Sequence, residues 1–227
     1  LIAINEAAGK PTKSVVIVHE NTTPFGSFMA GLLEKNLTPA GFEVKEVLPH
    51  PTGNKDFSNI ALKIKEANPD LVIPSHYYGD GVLFLRTLQR QRVKPKAIYS
   101  VLGGASSQYR FVNEFPDAAD YVMDCNHWFD PRKAAAQALR KKTEAAGKSF
   151  SYEVFLAYEA MMFAADAMER AGSSDRAKII EAMASSTWSD HFMPYGATKM
   201  VNGQNEGAQA MVMQVLNKDI EVVAPKE

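Results

Sequence analysis

Residues 14–20 read SVVIVHE, a continuous apolar run that is rich in Val and Ile. Such a run is typical of a strand that is covered on both faces within a parallel sheet. Thr23 and Pro24 follow, offering an N-cap and a proline at the first helical position, and they predict a helix over residues 25–37 that stops near Gly41. The stretch therefore predicts a strand, a turn and a helix in succession.

The same unit recurs as far as residue 125. Further strands are predicted at residues 42–48, 70–76, 96–102 and 120–125, with helix-like segments between them. This alternation predicts a doubly wound parallel α/β sheet. Residues 1–10, LIAINEAAGK, have the pattern of the end of an amphipathic helix, so the chain is expected to start within an element.

The pattern changes between residues 131 and 186, where three helix-like segments follow one another without a strand. The middle one, residues 151–172, is apolar on nearly all sides and is therefore expected to be buried on several sides. Strand-like runs return between residues 195 and 224. We expect a second lobe whose sheet comes from sequence upstream of residue 1. The chain should cross between the two lobes near residues 125–130 and again near 195–206, and these crossings would form a hinge.

Charge and composition exclude several classes of partner. The formal net charge is -1, from 25 basic and 26 acidic side chains, and no cluster of like charges suggests a nucleic acid or an anionic membrane as partner. The hydrophobic content of 46% is that of an ordinary globular protein. No apolar stretch is long enough for a membrane span, so direct membrane insertion is not expected. The single Cys125 rules out an internal disulfide and leaves the redox compartment open.

Candidate site residues gather where predicted strands end, because α/β sheets bind ligands outside the carboxyl ends of their strands. Aromatic side chains at this edge suit a pocket for a compact, partly apolar solute. The alternative is that they only pack over the ends of the strands and cover the core. Glycines and serines after the fourth strand offer donors for a carboxylate, or an ordinary N-cap and turn. The candidates are Phe25, His76, Tyr77, Tyr78, Leu102, Gly103, Gly104, Ser106, Ser107, His127 and Trp128.

Patterns for catalysis, metals and cofactors are missing from the sequence. The five histidines do not recur at metal-ligand spacing, and neither HExxH nor CxxC occurs. The segment GDGVLF lacks the third glycine of a dinucleotide loop, and there is no Walker sequence. Asp190 and His191 have no nucleophile elbow near them. We therefore expect a protein that is not an enzyme and needs no metal or cofactor.

Four segments carry a family resemblance: KSVVIVHENTTPFG, DFSNIALKIKEANPDLVI, YEVFLAYEAMMFAADAMERAGSSD, and NGQNEGAQAMVMQV followed by IEVVAP. In their order and spacing they resemble the type I periplasmic solute-binding proteins of branched-chain amino acid ABC transporters. The resemblance implies two Rossmann-like lobes with three α/β/α layers, and a lobe one that lacks its N-terminal part in this chain. Residues 1–125 then form lobe two, 126–195 are helices of lobe one, and 196–227 make the return crossing and the closing strands of lobe two.

The resemblance also implies a function. It implies a periplasmic or lipid-anchored receptor that binds a small amino acid or carboxylate in an interlobe cleft and delivers it to an inner-membrane ABC permease. The alternative within the same fold is a ligand-sensing regulatory or chemoreceptor-type protein. Solute contacts of leucine-type relatives fall on Phe25, on Tyr77 and near Leu102 to Gly104.

One position departs from that pattern. Leucine-type relatives have a carboxylate after the fourth strand of lobe two, but residues 97–108 contain neither Asp nor Glu to pair with an ammonium group. A buried ammonium group without such a partner is costly. Unless Glu20 or Asp80 substitutes, we predict an aromatic or short aliphatic carboxylate, or an amide, in place of an α-amino acid.

Overall fold

The computed structural model describes residues 1–9, 12–102 and 104–224. The chain forms two compact units, one of residues 1–126 with 211–227 and the other of residues 127–210. The chain leaves the first unit after Asn126, close to the crossing expected near residues 125–130. It returns at Met211, so residues 196–206 belong to the second unit rather than to the return crossing.

The strands of the first unit follow one another in the predicted order. They are β1 (Ser14–Glu20), β2 (Glu43–His50), β3 (Leu71–Ser75), β4 (Ala97–Val101), β5 (Met123–Asn126), β8 (Met211–Leu216) and β9 (Asp219–Ala224), and the second unit holds β6 (Met200–Val201) and β7 (Gln204–Asn205). The helices of the first unit are α1 (Ile2–Ala7), α2 (Pro24–Leu37), α3 (Ser58–Ala67), α4 (Tyr78–Arg90), α5 (Tyr109–Glu114) and α6 (Pro116–Ala119). Those of the second unit are α7 (Ala134–Ala145), α8 (Tyr152–Ala171) and α9 (Arg176–Ala184).

The first unit is built on one sheet with the order β2-β1-β3-β4-β5-β8-β9. Strands β1 to β5 pair in parallel, whereas β8 runs antiparallel to β5 and β9 antiparallel to β8. All residues of β1 and β3 are buried, as expected of strands with helices on both faces. The predicted α/β sheet is therefore confirmed, with an antiparallel pair at one edge.

Strand order places a topological switch point between β1 and β3. The chain moves from β1 outward to β2 and then returns to the other side of β1 to form β3. In open α/β folds, the two sides of such a switch point are where a ligand is commonly bound, at the carboxyl edge of the sheet. Phe25 and Tyr77 lie on the connections that follow β1 and β3.

The second unit has an aromatic core at its start. Trp128, Phe129, Phe150 and Phe155 are all buried, and their rings contact one another with centroids 5.1–6.2 Å apart. Helices α8 and α9 pack together, and the Arg170 guanidinium donates to the carbonyl of Ala182 at 2.7 Å. This unit therefore has a core of its own.

The prediction that residues 151–172 are buried on several sides is wrong for this chain. On α8 only Phe155, Glu159 and Ala167 are buried, and Met161 is 71% exposed. Tyr158, Met162 and Met168 are exposed as well. The reason is that the described residues of the second unit supply no sheet other than the short β6–β7 hairpin, so the remaining apolar side chains of α8 have nothing to pack on.

Two glycines of α2 give a matched test of the turn after β1. A Cβ on Gly26 would lie 2.0 Å from the backbone oxygen of Glu20, while a Cβ on Gly31 would have nothing within 4 Å. We expect Gly26→Ala to destabilise the protein by about 1–3 kcal/mol or more, because backbone atoms must move. Gly31→Ala should stabilise it by up to about 1 kcal/mol through helix propensity.

Chemical denaturation of both variants measures this difference. Equal stabilities for Gly26→Ala and Gly31→Ala would contradict the close approach of α2 to the end of β1.

Candidate functional site

Aromatic and hydroxyl groups from two connections meet at the switch point. Tyr77 is 45% exposed, and its ring lies 6.0 Å from that of half-buried Phe25. The Tyr77 hydroxyl is 3.3 Å from the Thr23 hydroxyl. We call Thr23, Phe25 and Tyr77 the rim. It combines apolar surface with hydroxyl groups, as ligand sites commonly do.

The turn after β4 lies beside the turn after β3. A Cβ on Gly104 would be 3.3 Å from the backbone nitrogen of Tyr78 and 3.7 Å from the carbonyl of His76. Leu102 and Gly104 both have positive φ, 51° and 59°, so this turn bends sharply toward Tyr78. The structure thus brings together the predicted segments after β3 and β4. Gly103 lies outside the described residues.

Thr23 stands at the N-cap position of α2 but makes no side-chain capping bond. The Glu20 carboxylate is the hydrogen-bond acceptor at this end of the helix. It accepts from the backbone nitrogen of Thr23 at 2.6 Å and from the Thr52 hydroxyl at 2.9 Å. Burial by itself would raise the pKa of Glu20, but these hydrogen bonds outweigh it and hold the pKa below its ordinary value. Glu20 therefore stays ionised and holds the start of α2 to β1.

Three buried histidines lie within one residue of the ends of three neighbouring strands: His19, His50 and His76. His50 Nε2 lies 2.8 Å from His76 Nδ1, and His50 Nδ1 lies 2.9 Å from the carbonyl of Pro51. A carbonyl only accepts, so His50 carries its proton on Nδ1 and His76 donates from Nδ1 to His50 Nε2. His76 Nε2 is then a buried acceptor that has no hydrogen-bond partner among the described residues.

Both imidazoles favour the neutral form in the folded state. Burial lowers the pKa of His50, against the opposing charges of Asp80 and Glu20. Burial, and then the charges of His50 and His19, lower the pKa of His76 well below its ordinary value. A base whose pKa is lower when folded binds fewer protons than in the unfolded chain, so stability is lost as pH falls below the unfolded value of about 6.5.

We therefore expect the free energy of unfolding to fall by about 1 kcal/mol between about pH 7.5 and pH 5.5, since a histidine that stays neutral costs up to about 1.4 kcal/mol for each pH unit. Urea denaturation at both pH values measures the drop. His50→Asn should reduce it, and His127→Gln, which changes an exposed side chain, should retain it. A drop that His50→Asn leaves intact would contradict this assignment.

Other predicted site residues are placed differently. His76 is 2% exposed, and its ring contacts His50, Phe57 and Phe84. It is therefore packed in the interior, directly before Tyr77 of the rim in the sequence. Half-buried Tyr78 begins α4, with the Arg110 guanidinium 5.8 Å from its ring centre. Ser106 is buried, and its hydroxyl has no partner among the described residues.

Trp128 does not belong to an exposed aromatic edge. Its ring has no exposed surface and packs on Phe129 and Phe155 in the core of the second unit. Burial in this structure favours a packing role for Trp128 over the predicted solute contact. Alternation alone could not reveal this, because a tryptophan after a strand suits a pocket and a core equally well.

Two features of the site escaped the sequence analysis. The hydrogen bond between His50 and His76 joins residues far apart in sequence, and the link from Thr52 to Glu20 does the same. The available signal was that β1 and β2 each end in a polar residue, Glu20 and His50. In neighbouring parallel strands such residues meet at the same edge.

Three hollows of the first unit lie away from the rim. One of about 430 Å³ is lined by residues of α4, by the start of β4 and by Tyr121, at the opposite edge of the sheet. In residues 1–9, 12–102 and 104–224, no three His, Cys, Asp or Glu side chains are grouped to hold a metal ion. Among the helices described, none has the length and apolar character to cross a membrane.

Sheet order and the switch point define an open α/β fold, and proteins with such folds bind ligands at the carboxyl edge of the sheet. A family model described as periplasmic binding protein matches residues 3–220, and the chain belongs to this family. Proteins of this family bind solutes outside the cytoplasm and are not enzymes.

Individual relatives agree with this membership. A Leu/Ile/Val-binding protein homolog 7 from Brucella suis is 26% identical over 96% of this chain and 57% of its own length. A leucine-binding protein, LivK, from Thermotoga maritima superposes with a TM-score of 0.80 at 23% identity, covering 98% of this chain and 63% of that one. A solute-binding protein from Rhodopseudomonas palustris, in complex with benzoate, gives 0.80 at 16% identity, with 98% and 60% covered.

These two structures share the type I periplasmic binding protein fold with this chain, which confirms the predicted fold. The chain spans little more than half of the length of the Brucella suis relative.

Proposed function

We propose that this protein is the solute-binding receptor of an ABC importer and binds a small amino acid or carboxylate without converting it. The observation that carries the proposal is the rim: Phe25 and Tyr77 come together at the switch point with the Thr23 hydroxyl beside them. A delivery receptor needs a site that holds and releases a solute, and a rim of rings and hydroxyls suits that task.

Exposure of the rim supports a binding role. Tyr77 is 45% exposed, although tyrosine side chains usually bury large areas of their surface. The Tyr77 hydroxyl lies 3.3 Å from the Thr23 hydroxyl, so a polar pair stands beside the exposed ring. The buried Glu20 and the histidine pair below the rim fix the connections that carry it, which pre-organises the site.

Within the site we assign direct contacts to Phe25, Tyr77 and the turn at Leu102 and Gly104, with Tyr78 and the Ser106 hydroxyl beside them. His76 acts by positioning Tyr77, its neighbour in sequence. Relatives give both kinds of solute a precedent, since one is a leucine-binding protein and another is in complex with benzoate.

The second unit is proposed to be part of lobe one. Its support is the exposed apolar face of α8, formed by Tyr158, Met161, Met162 and Met168, which is larger than scattered single exposures explain. We propose that a sheet covers this face in the complete lobe, and that the lobes close around the solute. Delivery to an inner-membrane permease from the periplasm, with or without a lipid anchor, completes the proposal.

Isothermal titration calorimetry tests the binding function. The purified protein is titrated with leucine, valine, benzoate, 3-phenylpropanoate, 4-methylpentanoate and their amides, and chromatography afterwards shows whether the solute is unchanged. We expect saturable binding of at least one member and full recovery of that solute. Absence of binding across the panel, or conversion of a bound member, would refute the proposal.

A further inference from the structure

We infer that the solute of this protein carries no ammonium group. This inference rests on the proposed function and concerns the same rim. A solute enclosed at the rim with a positive charge needs a carboxylate that is free to pair with it, since an unpaired buried charge is costly. The question is therefore whether any carboxylate near the rim is free.

Glu20 is the nearest candidate in sequence to Thr23 and Phe25. Its side chain has no exposed surface. Oε1 accepts from the backbone nitrogen of Thr23 at 2.6 Å, and Oε2 accepts from the Thr52 hydroxyl at 2.9 Å. Both oxygens are therefore engaged, and pairing with a solute would require the start of α2 to open.

Asp80 is the second candidate, because it lies three residues after Tyr77. It is buried within the first turn of α4, and Oδ2 accepts from the backbone nitrogen of Gly53 at 2.9 Å. The positive end of the helix dipole stabilises a carboxylate there without any solute. Asp80 therefore serves the connection after β2 rather than the rim.

Acidic residues near the other strand ends are engaged as well. Asp56 accepts from the backbone nitrogen of Ser58 at the start of α3, and buried Asp124 accepts from the Ser107 hydroxyl. The turn after β4 contains no acidic residue. Among the described residues of the first unit, each of these four carboxylates already accepts a hydrogen bond within the protein, and none of them belongs to the rim.

The groups of the rim suit a different solute. The rim presents two rings and two hydroxyls, and the buried carboxylates of Glu20 and Asp80 accept from the backbone nitrogens of Thr23 and Gly53. Such a surface accepts an apolar body with a neutral or hydrogen-bonding polar group. The class that fits is an aromatic or branched aliphatic carboxylic acid, or its amide, without an α-amino group.

Matched solutes decide the question. Leucine and 4-methylpentanoate differ only in the ammonium group, as do phenylalanine and 3-phenylpropanoate, and each is titrated into the full chain by calorimetry. We expect at least one acid to bind about 10-fold or more tightly than its amino acid, the effect of about 1.4 kcal/mol. Amino acids that bind equally well or better would overturn the inference while leaving the receptor function intact. Failure of all four, of their amides, and of valine and benzoate would overturn both.

A pair of variants tests the cause. Thr23→Asp places a carboxylate on the rim at an N-cap position that favours aspartate, and Thr23→Asn is its neutral control of the same size. Thr23→Asp should shift the ratio of affinities toward the amino acid by about 10-fold relative to Thr23→Asn, as a partly desolvated charge pair would. An unchanged ratio in two folded variants would overturn the assigned cause.

Discussion

Tyr77→Ala is expected to weaken solute binding by about 10- to 100-fold and to leave the stability of the fold nearly unchanged, because interface tyrosines in aromatic pockets often contribute about 2 kcal/mol or more. The ring is 45% exposed in the absence of solute, so its removal opens no core cavity. The variant also removes the partner of the Thr23 hydroxyl and of the Phe25 ring.

Calorimetry with the tightest solute of the panel measures the loss, and thermal unfolding confirms that the variant is folded. Tyr77→Phe separates the hydroxyl from the ring and should retain most of the affinity if ring packing dominates. Tyr121→Ala is the matched control, because Tyr121 is 67% exposed and precedes β5 at the opposite edge of the sheet. Unchanged affinity in Tyr77→Ala would show that the rim is not the site.

Trp128→Ala is expected to destabilise the second unit by about 3–5 kcal/mol, the usual cost of removing a large aromatic side chain from a core. Trp128 has no exposed surface, and its ring meets Phe155 edge to face with centroids 5.9 Å apart. A cavity left there cannot be filled by the other rings without breaking their own contacts.

Urea denaturation followed by far-UV circular dichroism measures the change, and His127→Ala controls for substitution at the neighbouring, exposed position. The two roles considered for Trp128 have opposite signatures. Lost affinity with unchanged stability would restore it as a solute contact, whereas the core role predicts lost stability first.

Tyr77→Ala and Trp128→Ala together distinguish two roles of aromatic residues that follow strands, solute binding and core packing. Tyr77 keeps 45% of its surface exposed on the turn that follows β3. Trp128 enters a core because the chain at that point has already left the sheet for the second unit. Position after a strand is shared by both residues, so exposure is what separates a binding role from a packing role.

The sequence by itself determined the elements and the edge of the sheet at which a site is predicted. Apolar runs such as Ser14–Glu20 and the turn signal Thr23–Pro24 are local, and local periodicity and dihedral preference are enough to predict a strand or a helix start. The alternation of these elements then implies a parallel α/β sheet, and a parallel sheet binds at its carboxyl edge.

Only the tertiary structure decided which polar groups are free. Glu20 is engaged by Thr52 and His76 by His50, and both partners are many residues away along the chain. It also decided that Trp128 is buried and that one face of α8 is open. These outcomes depend on which distant segments lie next to a side chain, and local sequence preference contains no information about that, since pairing and burial are set by the packing of the whole unit.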